Sequence, residues 1–490
     1  MKKSIFGILI LLESLFLALS AIVGFVYGDD GWLCFLHTAL GSAALGAFCI
    51  WLGRKNKAQR MRRADSFLVV ALSWIVFSAI GMVPFMVLAD MNVHSAFFET
   101  MSGFTTTGAT CINDIDPLPR SLLFWRAVTQ WIGGLGIVVF SFALIPAYEM
   151  KNSSIYSAEV TGIGLDKLRP KIGATARRVL LIYLALTGAC ALCYWVGPMD
   201  FYDAVCHSFT TIATGGFSTH SASIAYFHSS YLEYVASFFM LVSSINFSLY
   251  YYMTIRRSHA LFTNEEVRVF FGYIFVAIVG FMLLFYFAPM PAGIEDTLPH
   301  GLEETFRSAL FHVSTVATST GFAAQKFDYV AWGGSFWMPT VVVMAIGACA
   351  GSTAGGIKLI RIIICAKSVF KELVLQLHPR AVVPVRINRQ IVPQDKVQRA
   401  LAFIFIYIML VVVAMTCYSL LGADVDTALG SSISMLSNVG PGTGATGPAS
   451  TFARVPASGK WLMSAYMLIG RLEIFTVLFL FMPTYWKERK

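Results

Sequence analysis

The chain has 490 residues, 57% of them hydrophobic and only 13% charged, with 40 phenylalanines and a formal net charge of +9. Soluble globular chains carry about 25% charged residues, so the composition excludes one and points to a polytopic membrane protein. The basic excess does not indicate nucleic acid, because the basic residues cluster between apolar spans, as cytoplasmic loops do under the positive-inside rule. The nine cysteines lie mostly inside apolar spans, and none has metal-ligand spacing. Cys190 and Cys193 read as small packing residues of a membrane helix.

Stretches of about 20 apolar residues are long enough to cross a bilayer. The first two cover residues 5–28 and 32–53, joined by the acidic turn Gly28-Asp29-Asp30-Gly31. Residues 54–63 hold six basic residues in ten, which places the N-terminus and this loop in the cytoplasm. With no small-residue cleavage site after a short apolar core, the first span is expected to be retained.

Beyond it the chain repeats one plan four times: an apolar span, a shorter semi-polar stretch ending at a glycine, and a second apolar span. The three parts cover 66–88, 95–108 and 121–146; 179–196, 202–215 and 231–254; 269–288, 308–321 and 336–369; and 401–421, 427–440 and 461–482. The expected organisation is a two-helix extension, 1–63, followed by pore repeats at 64–150, 151–257, 258–370 and 371–490. The middle stretches are too short and too rich in Ser, Thr and Gly to span. They suit a short helix that enters the membrane and a loop that climbs back out, enclosed by protein. The predicted fold is therefore an all-α polytopic membrane protein, in which two N-terminal helices precede four pseudo-fourfold helix–pore loop–helix repeats around one central pore.

Charge supports this topology. The loops after the second spans are basic, with Lys151, Lys167, Arg169, Lys171, Arg177 and Arg178, then Arg256, Arg257 and Arg268, then residues 358–399, and finally Lys487, Arg489 and Lys490. The opposite side carries Asp29, Asp30, Asp90, Asp114, Asp116, Asp200, Glu295, Asp296, Asp424 and Asp426, and an acidic vestibule concentrates cations. Both termini are expected in the cytoplasm.

The four glycine motifs align on Gly108, Gly215, Gly321 and Gly440, spaced by 107, 106 and 119 residues, too long for a solenoid and right for a membrane hairpin with an insert. Glycine reaches positive φ, so each segment can turn its carbonyls to a common side. Four such segments around an axis make rings of backbone oxygen that replace the hydration shell of a dehydrated cation. Each short helix aims its negative C-terminal end at the same centre.

Two further features stand out. In the long span of the third repeat, Gly347, Gly351 and Gly355 fit a helix-packing face, while the excess length and the polar Ser352 and Thr353 beside Gly356 fit a broken helix lying under the filter. Arg471, with Glu473 near it, lies in the last span, where a charge must face the pore or a partner; an ion pair that only holds the bundle together is the alternative. Arg471 is 31 residues past Gly440, and Asn246 is 31 past Gly215, which puts them at similar depth. His207 and His312 have no ligand-like spacing and read as hydrogen-bonded structural residues. No phosphate-binding loop, nucleophile triad or dinucleotide fingerprint is present, so no enzyme is indicated.

On Thr-Thr-Thr-Gly, Ile-Ala-Thr-Gly-Gly, Thr-Ser-Thr-Gly-Phe and Asn-Val-Gly-Pro-Gly the chain resembles the bacterial Trk/Ktr/HKT potassium-uptake superfamily, and its two extra N-terminal spans resemble the TrkH branch. The resemblance covers essentially the whole sequence. It implies a potassium-translocating subunit of the bacterial inner membrane, a homodimer with one pore per protomer, gated by a cytosolic nucleotide-binding ring of the TrkA type. It places potassium at Thr106, Thr107, Gly108, Ala213, Thr214, Gly215, Ser319, Thr320, Gly321, Asn438, Val439 and Gly440, and a gate at 347–356 with Arg471 as the pore arginine. Potassium is the substrate, and no organic cofactor is implied. All four aligned positions are glycine, whereas sodium-admitting plant relatives often have serine at the first, which favours potassium.

The expected function is gated potassium uptake driven by the membrane potential, which is worth about 2.3 kcal/mol per charge per 100 mV. A sodium- or proton-coupled symporter is the alternative, although the spans hold few acidic residues for a relay. A membrane sensor without conductance is the third reading. The basic stretch 367–399 is a candidate dock for a regulator, or else a loop solvated near anionic lipid headgroups.

Overall fold

The computed structural model describes residues 2–54, 63–136, 172–256, 259–289, 291, 298–324, 328–483 and 486. The expected span end 137–146, Lys151, Lys167, Arg169, Lys171, Arg257, Glu295, Asp296, Lys487, Arg489, Lys490 and the repeat boundaries at 150/151 and 257/258 lie outside the described residues.

Helices α1 (Lys2–Tyr27) and α2 (Trp32–Gly53) form the N-terminal hairpin. Their backbones meet at Gly7 and Gly46, where a Cβ on either would press the other's carbonyl oxygen. The turn between them is anchored to the bundle. Asp29 accepts the Ser121 N–H at 2.8 Å and its hydroxyl at 2.9 Å. That fixes the hairpin against the start of α6 (Arg120–Leu135).

The repeats follow in order. The first has α3 (Arg63–Gly81) and α4 (Val83–Leu88), the short α5 (Val93–Phe104), and α6; the second has α7 (Ile172–Val196), the short α8 (Phe201–Ile212), and α9 (Ser230–Ser243) with α10 (Phe247–Arg256). After the single-turn α11 (Ala260–Thr263), the third has α12 (Glu265–Phe287), the short α13 (Gly301–Ala317), and α14 (Gly334–Ile346) with α15 (Leu359–Leu377). The fourth has α16 (Gln394–Leu420), the short α17 (Val425–Ser437), and α18 (Ala457–Arg471) with α19 (Phe475–Leu478). Among the described residues six helices are long and apolar enough to cross a membrane. One small departure from the all-α expectation is an antiparallel hairpin, β1 (Arg386–Ile387) with β2 (Gln390–Ile391). Its turn, Asn388-Arg389, has positive φ at both residues.

The second helices of the repeats carry the architecture. Pore helix α8 packs on α6, α13 on α9, α17 on α14, and α5 on α18, so each rests on the second helix of the preceding repeat and the last closes on the first. This cyclic order makes one closed ring of four. The C-terminal parts of the pore helices are buried, and several of their hydroxyls bond back to carbonyls within the helix, as Thr211 does to His207 at 2.6 Å.

The sequence predicted one broken second helix, and among the described residues three are broken. The third breaks as expected. Gly347, Gly351 and Gly356 all have positive φ, which no helix-packing face accommodates. The pairs α9–α10 and α18–α19, expected as continuous spans, bend by 86° and 112°. Their breaks fall at 244–246 and 472–474. Each is held by contacts from other repeats, so the cause is tertiary and left no glycine run in the sequence.

Candidate functional site

Each pore helix ends in the same short device. Its last turn is followed by a residue with positive φ, Thr106 (53°), Thr214 (53°), Ser319 (55°) and Asn438 (54°), and two residues later by a glycine, Gly108 (80°), Gly216 (78°), Gly321 (80°) and Gly440 (103°). The chain reversal that this produces brings the four segments to one level. A Cβ on Gly108 would overlap the carbonyl oxygen of Gly215, one on Gly216 that of Thr320, one on Gly321 that of Val439, and one on Gly440 that of Thr107. Four glycines and four equivalent carbonyls therefore interlock in a ring, and each glycine is required by both its φ and its neighbour.

This ring corrects the expected register in the second repeat. The glycine equivalent to Gly108 is Gly216, not Gly215, and Thr214-Gly215-Gly216 matches Thr106-Thr107-Gly108. Ala213, expected in the filter, instead caps α8 at the level of Thr105. Two adjacent glycines made the sequence alignment ambiguous. The distinguishing signal was the polar residue two positions earlier, which precedes Gly108, Gly321 and Gly440 alike.

The ring is braced from behind by side chains that sequence reasoning missed. Gln130 donates to the Gly215 carbonyl at 2.7 Å and accepts the Phe217 N–H at 3.0 Å. Glu99 and Arg126, 0% and 1% exposed, pair at 3.0 Å. Glu99 also accepts the Cys111 N–H at 2.8 Å, and Arg126 donates to the Ser218 carbonyl at 2.9 Å. The pair thus clamps the segments that follow the ring in two repeats. Breaking a buried pair on one side costs about 3–5 kcal/mol. Arg126 lies in an apolar helix, as Arg471 does, and that was the available signal.

On the acidic face His220 is wedged between Asp116 at 3.0 Å and Asp203 at 3.1 Å, and stacks on Tyr226. It joins the outer segments of the first two repeats. Burial opposes its protonation, but hydrogen bonds and charge from Asp203 and Asp116 outweigh that and raise the imidazole above its ordinary value. A raised folded-state value contributes stability that is full below the unfolded value, about 6.5, and is lost as pH rises through the folded one. The loss in melting temperature on His220→Gln is therefore expected to be larger near pH 5.5 than near pH 9, and an equal loss at both would refute the charged bridge. His207 and His312 are hydrogen-bonded structural residues, to Asp203 and Ser218 in one case and Thr340 in the other. Among the described residues no cluster of His, Cys, Asp and Glu could hold a metal ion.

Directly against the ring lies the non-helical loop of the third repeat. Gly355 N–H donates to Ser319 Oγ at 2.6 Å, and a Cβ on Gly355 would overlap the Ser437 carbonyl. Thr353 Oγ1 reaches the carbonyls of Ile212 and Ser243, both at 3.2 Å. The loop also pairs with the break in the second repeat, Cys349 N–H to Ser244 O at 3.3 Å and Phe247 N–H to Gly351 O at 3.1 Å. Asn246 sits in that break with its side chain against Gly351, while Arg471 marks the equivalent break of the fourth repeat. Ser352 lies beside them, its hydroxyl turned back to Cys349 O at 2.7 Å.

Arg471 donates to Thr353 O at 2.8 Å, to Gly134 O at 3.2 Å and to Gly133 O. It thereby joins the loop to the C-terminal end of α6, where a cation is favoured. Glu473 pairs with Arg361. Beside the loop is a cavity of about 100 Å³, lined by Gly134, Thr353, Lys358, Asn438 and Arg471 among others. Asn438 Oδ1 is buried without a hydrogen-bond partner, close to Gly470.

Re-entrant helices meeting in an interlocked ring, enclosed by apolar spans and closed on one side by a loop, define a pore-loop membrane transport protein. The TrkH family profile, described as cation transport protein, matches residues 34–488. The "Trk system potassium uptake protein TrkH" of Escherichia coli (strain K12) is 36% identical over 99% of this chain and 98% of its own length. "Trk system potassium uptake protein TrkG" of the same organism is 34% identical over 98% and 97%. The crystal structure of the potassium transporter TrkH from Vibrio parahaemolyticus superposes with a TM-score of 0.86 at 33% identity, covering 99% of both chains. This chain belongs to the TrkH family, a family of multi-pass membrane transporters rather than enzymes.

Proposed function

We propose that this chain is the potassium-translocating subunit of an uptake system. The observation that carries the reading is the ring of interlocked glycines and carbonyls, in which each glycine lies against a backbone carbonyl oxygen of a neighbouring repeat. The relatives' function as potassium uptake proteins supports potassium as the ion. In this reading potassium is held by Thr106, Thr107 and Gly108; Thr214, Gly215 and Gly216; Ser319, Thr320 and Gly321; and Asn438, Val439 and Gly440. The gate is the loop from Gly347 to Gly356, including Gly351, Ser352, Thr353 and Gly355, latched by Arg471. The inside-negative potential of the bacterial inner membrane drives entry, both termini are cytoplasmic, and the protein works as a homodimer whose basic face carries a TrkA-type nucleotide-binding ring.

The test is ion flux into liposomes containing the purified protein, with the potential clamped. Potassium entry should follow the potential, exceed sodium entry, and persist without a sodium or proton gradient. Entry that requires either gradient would replace the channel-like reading with symport, and absence of flux with and without the ring would remove both.

A further inference from the structure

Two adjacent glutamates at the start of α12 face different neighbours. Glu265 accepts the Asn388 N–H at 3.0 Å, its own N–H donates to Asn388 Oδ1 at 2.7 Å, and it pairs with Lys367. Lys367 in turn donates to the Arg386 carbonyl at 2.7 Å. Glu265 therefore holds the β1–β2 hairpin. The next residue, Glu266, is buried and accepts the Ala350 N–H at 2.7 Å, so it holds the loop beneath the ring.

A second observation joins the same parts independently. Apart from the main core there is a small separate apolar cluster of Ala350, Ile360, Ile364, Val385, Val397 and Ala400, with Ile387 and Val392 packed on it. It contains one residue of the loop, the first turns of α15, the approach and strands of the hairpin, and the start of α16. The hairpin itself is short, and Asn388, Arg389, Gln390 and Ile391 at its tip are exposed. An exposed element tied by both polar and apolar contacts to the loop is positioned to move it.

We propose that the β1–β2 hairpin and the Glu265–Glu266 pair form a lever that sets the position of the loop 347–356. Load on the exposed tip passes through Asn388 to Glu265, and from Glu266 to Ala350, on the N-terminal side of the Thr353–Arg471 latch. This rests on the reading of that loop as the gate. The hairpin is thus the point at which a partner on the basic face changes the open fraction without touching the filter.

The experiment measures potential-driven potassium flux in liposomes together with the potassium-to-sodium ratio, for Asn388→Ala, Glu266→Ala, the double variant, Glu266→Gln and, as a direct test of the gate, Thr353→Ala. Thermal melting checks that each variant is folded. The expected result is a change of about threefold or more in flux for Asn388→Ala and for Glu266→Ala, with an unchanged ion ratio, and a double variant no stronger than the larger single, as residues in one chain of contacts are non-additive. Glutamine at 266 still accepts the Ala350 N–H and should restore wild-type flux. If Thr353→Ala alters flux while the lever variants leave it unchanged or combine additively, the lever is refuted and the gate survives. If Thr353→Ala also leaves flux unchanged, the gate reading falls, and the lever with it.

Discussion

Replacing Gly216 by serine is expected to abolish discrimination between potassium and sodium, as are Gly108→Ser, Gly321→Ser and Gly440→Ser. Each of these glycines has φ between 78° and 103° and faces a neighbour's carbonyl oxygen where a Cβ would sit. A non-glycine residue in the left-handed region costs about 1–2 kcal/mol. The displaced carbonyl adds to that. A tenfold ion preference amounts to only about 1.4 kcal/mol, so the distortion is as large as the quantity it disturbs.

Gly215 provides the control, because it does not have positive φ and a Cβ there meets the Gln130 side chain rather than backbone. A side chain can shift, so Gly215→Ala should lower the potassium-to-sodium permeability ratio by only about threefold, against tenfold or more for Gly216→Ser. Reversal potentials measured in bilayers with potassium on one side and sodium on the other compare the two directly. A larger loss at Gly215 than at Gly216 would overturn the register given by the backbone.

Four copies of a short polar stretch between apolar spans were legible, because lipid forces apolar composition on spanning helices and exempts segments enclosed by protein. The break at 347–356 was legible for the same reason that it exists, since its positive φ values need glycines. The breaks after Ser243 and Arg471 were not. Their segments read as continuous apolar spans, and what accompanies the breaks is the loop of another repeat bonding Ser244 and Phe247, or a guanidinium reaching the end of α6. The Glu99–Arg126 clamp was hidden differently, because its partners are 27 residues apart and its role depends on the Ser218 carbonyl of a third segment. Composition reports the environment of a segment, whereas long-range polar pairing requires the fold.

Arg471→Gln is expected to raise potassium flux without altering selectivity. The arginine ties three elements together: its own helix α18, the loop at Thr353, and the end of α6 at Gly133 and Gly134. Hydrogen bonds to a charged group contribute about 1.5–3 kcal/mol each, and glutamine cannot supply three donors in these directions. Losing two of them weakens the latch by roughly 3 kcal/mol or more, about a hundredfold in a two-state equilibrium. Removing a positive charge next to Lys358 in the cavity also removes repulsion for an entering cation, which acts in the same direction. Arg471→Lys should fall between, keeping the charge but not the planar fork. A purely structural role makes a different forecast, with a lower melting temperature and unchanged flux per folded protein. On the proposed reading, an unchanged ion ratio would separate this variant from substitutions at the ring glycines. If Arg471→Gln were to lose selectivity as Gly216→Ser does, the arginine would be bracing the ring rather than the loop, and the gate would have to be sought elsewhere.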